Sequence, residues 1–248
     1  MSSELGLLCA IAGALFFLEI VMKKLLTYFT SLEITLWTSS VLLILVSFLA
    51  FDRTNYLSLA ASLIGVTSLI FFAKGNPFGN VLMIIFSILY GIISYTFAYY
   101  GEMITYLGMT LPMAVFALIS WMCNPYKGNK SEVKVGNIGK IERILMCISA
   151  IPVTIAFYFI LKKFGTSNLL PSTFSVTTSF IAAYLTFRRS PYYALAYAVN
   201  DIVLIVLWVL ASITDTRYIS VFVCFIAFLF NDIYGFISWQ RMKKRQAE

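Results

Sequence analysis

The chain has 248 residues, 60% of them hydrophobic and only 12% charged, with a mean hydropathy of +0.89 and a formal net charge of +7. Soluble domains carry about 45–50% apolar and about 25% charged residues, so this composition excludes a soluble globular chain and defines an integral membrane protein. The lack of any histidine excludes histidine general-base chemistry, and Cys9, Cys123, Cys147 and Cys224 show no Cys-x-x-Cys spacing, so no catalytic residues, metal site or cofactor are expected.

Residues 6–21 form an apolar run that contains Glu19, with no Lys or Arg before it and no small-residue cleavage site after it, which argues against a signal peptide. Within an N-terminal segment 1–34, Met22-Lys23-Lys24 offers a second start, so the first 21 residues read as an upstream extension, an interfacial helix or a further span. Eight apolar runs follow, at 35–51, 58–73, 79–100, 104–122, 143–161, 171–187, 191–213 and 217–240, most near the roughly 20 residues needed to cross a bilayer. The expected fold is an all-α polytopic membrane protein with about eight transmembrane helices.

If every run spans, the connecting segments alternate sides. Fourteen of the 18 basic residues, among them Lys23, Lys74, Lys130, Arg188 and Lys244, then fall on one side, and only Arg53, Lys162, Lys163 and Arg217 on the other. The basic side, with the tail 241–248 and so the C-terminus, is expected to be cytoplasmic. The positive charge reads as a topology signal and an attraction to anionic lipid, not as a nucleic-acid site.

The chain also repeats itself. Lys74-Gly-Asn-Pro77 ends the second run and Arg188-Arg-Ser-Pro191 the sixth; Ile119-Ser-Trp121 ends the fourth and Ile237-Ser-Trp239 the eighth. Offsets of 114 and 118 residues fit two three-helix bundles, 58–122 and 171–240, joined through a loop and a single linker helix at 123–163, with 35–51 as an extra N-terminal helix. An odd number of linking spans keeps the two bundles parallel, as in SWEET-type transporters. The polar segment Asn124–Glu142, with Gly128, Gly136 and Gly139, reads as a cytoplasmic connector without structure of its own.

Polar residues inside the spans are few. Asn200-Asp201-Ile202 and Asn231-Asp232-Ile233 repeat the same triplet in the seventh and eighth runs, and the rise of a helix puts the acids roughly 15 and 12 Å from the cytoplasmic ends. A mid-membrane carboxylate costs about 2.5–3.5 kcal/mol on insertion scales, and no span offers a mid-depth Lys or Arg as counter-ion. Helical spacing groups Tyr193, Tyr197, Asp201, Leu204 and Trp208 on one face, and Phe228, Asp232, Gly235 and Trp239 on another. Tyr234 follows the second acid closely. The third run adds Ser87, Tyr90 and Ser94, and the sixth adds Thr173, Ser175, Thr177, Thr178 and Ser179. Carboxylates among aromatic rings suit a flat, cationic, hydroxylated molecule. The competing reading has the Asn and Asp residues as interhelical glue. Tyr99, Tyr100, Tyr192 and Trp239, near helix ends, fit an interfacial belt.

The stretches Gly91–Met103 (GIISYTFAYYGEM), Asn124–Glu132 (NPYKGNKSE), Phe187–Asp201 (FRRSPYYALAYAVND) and Asn231–Trp239 (NDIYGFISW) resemble the PnuC family of nicotinamide riboside transporters, most closely its low-GC Gram-positive branch, over about residues 22–248. The resemblance implies a SWEET-like 3+1+3 core with an extra N-terminal helix in a bacterial plasma membrane. It implies uptake by facilitated diffusion, with a cytoplasmic riboside kinase trapping the product; a homo-oligomer is compatible with it. The family's binding aromatic falls on Tyr197, where other members tend to have Trp. Related members carry thiamine, riboflavin or deoxynucleosides.

The candidate substrate-binding set is therefore Tyr90, Ser94, Thr177, Tyr197, Asn200, Asp201, Trp208, Asn231, Asp232 and Tyr234. Two other classes also use such features. An intramembrane aspartyl protease would pair its carboxylates, but its Gly-x-Gly-Asp and Tyr-Asp contexts are missing. A substrate-binding subunit of an ATP-driven importer would need a separate ATPase, since the chain has no phosphate-binding Gly-x-x-x-x-Gly-Lys-Ser/Thr loop.

Overall fold

The computed structural model describes residues 27–96, 100–166 and 168–248. The N-terminal extension with Lys23 and Lys24, and Tyr99, lie outside the described residues. By its contacts the chain divides between Ser39 and Ser40, inside helix α1 (Ser31–Phe51). Before that division, Thr30 and Glu33 form a capping box: the Thr30 amide donates to the Glu33 carboxylate at 2.7 Å, and the Glu33 amide to the Thr30 hydroxyl at 3.3 Å.

After it come α2 (Tyr56–Ala73), α3 (Phe78–Thr96), α4 (Tyr100–Thr105), α5 (Leu111–Met122), α6 (Lys140–Lys163), α7 (Leu169–Phe187), α8 (Tyr193–Ser212) and α9 (Ile219–Ala247). A π turn over Tyr106–Thr110 joins α4 to α5 into one span, Tyr100–Met122. Its cause is local: Pro112 has no N–H to give the carbonyl one turn back, and the Leu111 amide reaches Tyr106 O instead.

Eight helical segments thus stand where eight spans were expected, and seven of them, among the described residues, are long and apolar enough to cross a membrane. The exception is α7, whose seven Ser and Thr residues lower its hydropathy. It packs against α5, α6 and α8, which shields that polar content.

Helices α2, α3 and α4–α5 pack together, as do α7, α8 and α9, while α6 lies on α7. The last helix of each trio also packs on the first helix of the other: α5 on α7, and α9 on α2. The repeated sequence signatures explain this exchange. Ser120 Oγ donates to Phe187 O at 2.8 Å and Trp121 Nε1 to Thr186 O at 2.8 Å; Ser238 Oγ donates to Ala73 O at 2.7 Å and Trp239 Nε1 to Phe72 O at 2.7 Å. Each serine thereby satisfies a carbonyl at the end of the opposite trio's first helix, and each tryptophan adds a second donor to a carbonyl that also accepts from the backbone, Gly75 N at Phe72 O and Arg189 N at Thr186 O.

Both ends close by the same backbone pattern. Gly75 N donates to Phe72 O and Asn76 N to Phe71 O, as Arg189 N does to Thr186 O and Ser190 N to Leu185 O. Gly75 and Arg189 hold the left-handed position, at φ 67° and 55°.

The segment after α5 corrects the sequence reading. It is structured: β1 (Pro125–Tyr126) and β2 (Asn129–Val133) form an antiparallel hairpin, turned by Lys127 and Gly128 at φ 48° and 81°. Two consecutive positive φ values are the signature of a tight hairpin turn. Beyond it the chain crosses the end of the bundle: Val133 N donates to Gly75 O, Gly136 N to Arg189 O, and Val135 N to the Gln246 side chain. A Cβ at Gly136 would strike the Arg188 carbonyl, so only glycine allows this approach. Ion pairs Glu132–Arg245 and Glu142–Arg188 flank the crossing.

These bonds gather Lys74, the hairpin, Arg188, Arg189 and the tail at one end. At the other, Asp52 lies within electrostatic reach of Asp215 and Arg217. There Arg217 hydrogen-bonds Asp215 and holds its carboxyl below the usual carboxylate range.

Candidate substrate-binding site

Asp201 on α8 and Asp232 on α9 are both buried and line the same cavity, within electrostatic reach of each other.

The two acids line a narrow cavity of about 40 Å³ with Tyr197, Asn200, Ser179, Tyr106, Thr110 and an apolar wall that includes Phe72, Phe86, Tyr193, Phe225 and Phe228. No Lys or Arg lines it among the described residues. Such a volume holds a few waters, each needing about 10–15 Å³, whereas small-molecule sites run to about 300–1,000 Å³. The described conformation is closed around the acids.

Aromatic layers close it on both sides. Toward the hairpin end, Tyr193 packs edge-on to Trp239 at 4.9 Å, Trp121 lies 5.3 Å from Trp239, and Phe72 lies 5.3 Å from Trp121. Toward the opposite end, Tyr90 and Tyr106 are 4.3 Å apart, with Phe86 5.4 Å from Tyr90 and Phe225 6.1 Å from it. Phe228 approaches Gly65 so closely that a Cβ there would meet its ring tip, so Gly65 is what leaves room for this wall.

The repeated Asn-Asp triplet divides its work by face. Each Asp turns inward to the pair. Each Asn turns to a flanking helix: Asn200 Oδ1 accepts from Thr178 Oγ1 at 2.7 Å and Ser179 Oγ at 3.0 Å on α7, and Asn231 Nδ2 donates to Ser40 Oγ on α1 at 2.9 Å. Asn200 still lines the cavity; Asn231 does not.

Of the candidate residues, the cavity thus collects Tyr197, Asn200, Asp201 and Asp232. Tyr90 and Trp208 form a second layer, their rings 6.3 Å apart and edge-on, behind Tyr106 and Phe86. Ser94 is buried one turn beyond Tyr90, outside the cavity lining. Thr177 faces the linker helix instead, with its hydroxyl 2.7 Å from that of Thr154 on α6. Tyr234 is half-buried and off the cavity. Trp239 is fully buried and bonded to Phe72 O, which removes it from the interfacial belt, whereas Tyr192 is half exposed. The sequence reading missed Tyr106 and Thr110; only the Leu-Pro step at 111–112 hinted at the π turn that turns them inward.

Membrane-spanning helices enclose a small cavity with two buried acids, and the comparisons with known proteins assign such a chain to the membrane transporters. The chain belongs to the nicotinamide mononucleotide transporter family, whose sequence model matches residues 55–241. It is similar to the nicotinamide riboside transporter PnuC of Neisseria mucosa, at 24% identity over 201 residues, covering 79% of this chain and 76% of that protein. The crystal structure of the vitamin B3 transporter PnuC superposes with a TM-score of 0.77 and 23% identity, over 88% of this chain and 94% of that one.

Proposed function

We propose that the protein takes up nicotinamide riboside across the bacterial plasma membrane by facilitated diffusion, with its hairpin end and C-terminus in the cytoplasm and a cytoplasmic riboside kinase preventing return. The observation that carries the substrate class is the acid pair inside aromatic walls with no basic residue lining the cavity. A pyridinium ring gains cation–π and stacking contacts there, and a carboxylate supplies its counter-charge. Tyr197, beside Asp232 at the cavity wall, is the ring best placed to stack. The similarity to the Neisseria transporter favours the same substrate.

Nicotinamide mononucleotide, the ligand in the family's name, fits this chemistry less well. Its phosphate would meet two carboxyl groups and no Lys or Arg, and a like charge in a low-dielectric site is repelled. The exchange of end-capping Ser-Trp pairs supports two parallel three-helix repeats, the SWEET-like arrangement, rocking against each other during transport.

Calorimetric titration of purified protein with nicotinamide riboside, nicotinamide mononucleotide, thiamine and a deoxynucleoside tests the assignment. Nicotinamide riboside should bind most tightly. Tighter binding of any of the others would reassign the substrate.

A further inference from the structure

We infer that Glu102 is a second acidic position on the substrate's route, which receives the pyridinium cation between the outer face and the Asp201–Asp232 cavity. The inference rests on the transport reading above and adds a residue to it. Glu102 sits in α4, only 2% exposed, and its Oε2 has no hydrogen-bond partner among the described residues. A carboxyl that served as helix glue would have a donor. In this one, Oε2 is buried with none.

Its depth follows from the two helices that meet there. Tyr90 on α3 and Tyr106 in the π turn have their rings 4.3 Å apart, and Tyr106 lines the cavity. Four residues, about one turn, lead away from the hairpin end: from Tyr90 to Ser94, and back from Tyr106 to Glu102. Ser94 and Glu102 therefore share the next layer outward. Tyr106 lines the cavity with Asp201 and lies within electrostatic reach of Glu102.

The layer has further unsatisfied acceptors. Ser94 Oγ and Thr166 Oγ1 are buried without a hydrogen-bond partner, and Thr166 can approach only because residue 101 is glycine: its hydroxyl lies 2.6 Å from where a Cβ would sit. A carboxyl with neighbouring hydroxyls offers a cation a charge and its ribose hydroxyls hydrogen bonds, the same chemistry as the inner site one layer deeper. A cation leaving water would meet Glu102, pass the Tyr106 ring and arrive at the acid pair without crossing an uncompensated apolar layer.

The test uses full-length protein in proteoliposomes and compares nicotinamide riboside with its neutral 1,4-dihydro form. Glu102→Gln should slow uptake of the cation at subsaturating concentration about tenfold, the low end of what a local charge contributes to encounter. It should leave uptake of the neutral form and the equilibrium affinity for the cation unchanged, and that retained affinity certifies the fold. Glu102→Asp, which keeps the charge, should retain most of the cation's rate. Equal slowing of the cationic and neutral forms, no slowing of either, or a loss in Glu102→Asp as large as in Glu102→Gln would overturn the inference. Failure of the parent protein to bind nicotinamide riboside would instead overturn the functional reading beneath it.

Discussion

Asp201 and Asp232 line one cavity within electrostatic reach of each other, and that proximity decides how the site must be probed. Asp201→Asn alone leaves the Asp232 carboxyl in the same cavity to face the ligand. The double substitution Asp201→Asn with Asp232→Asn removes the charge outright. It should weaken a pyridinium ligand by about 1.5–3 kcal/mol, the range for hydrogen bonds to charged groups, which is roughly 10- to 150-fold in Kd. A neutral analogue should bind the parent and the double variant alike, by calorimetry. Tyr197→Ala should weaken both ligands, since stacking acts on the ring whatever its charge. A loss confined to the cation would remove Tyr197 from the stacking role. The acids and Tyr197 are legible in the sequence because a charge inside an apolar run is costly and helical period places it on a face. Thr177 and Asn231 show the limit of that logic: period assigns a face but does not say which neighbour the face meets. One meets α6 and the other α1.

At the scale of elements, the Ser-Trp pairs at the ends of α5 and α9 make one prediction in two places. Trp121→Phe and Trp239→Phe keep most of the ring but remove one buried hydrogen bond each, to Thr186 O and Phe72 O, which keep their backbone donors Arg189 N and Gly75 N. Each should lower stability by about 0.5–1.5 kcal/mol, and the two losses should be comparable, read as the drop in thermal unfolding midpoint in detergent. A marked loss in only one would show that the repeats are not equivalent. The repeated signatures were visible in the sequence; their exchange between trios was not, because a motif states its donor groups and not the helix end that accepts them. The hairpin after α5 escaped for another reason. Lys127-Gly128 lies outside the favoured Asn-Gly and Asp-Gly turn pairs, and β2 (Asn129–Val133) is polar and mostly exposed, so no alternation marks it as a strand.

For the molecule as a whole, the hydrogen bonds from the 133–136 segment to both helix ends and to the tail bring Lys74, Arg188, Arg189, the hairpin and the tail to one end, in line with the side assigned to them by the charge division. Lys130 and Lys244 should therefore label only from the cytoplasm in sealed cells. Labelling of either from outside would reverse the orientation. The cavity's small size means that transport needs the aromatic layers to part, and nothing in the chain resembles a machine for hydrolysing ATP. The most direct test of the account is uptake of nicotinamide riboside into liposomes containing only the purified protein. Entry should stop when the inner concentration equals the outer, and should continue beyond it only when a riboside kinase and ATP are enclosed. Accumulation well above the outer concentration under a proton or sodium gradient, with no kinase present, would contradict it.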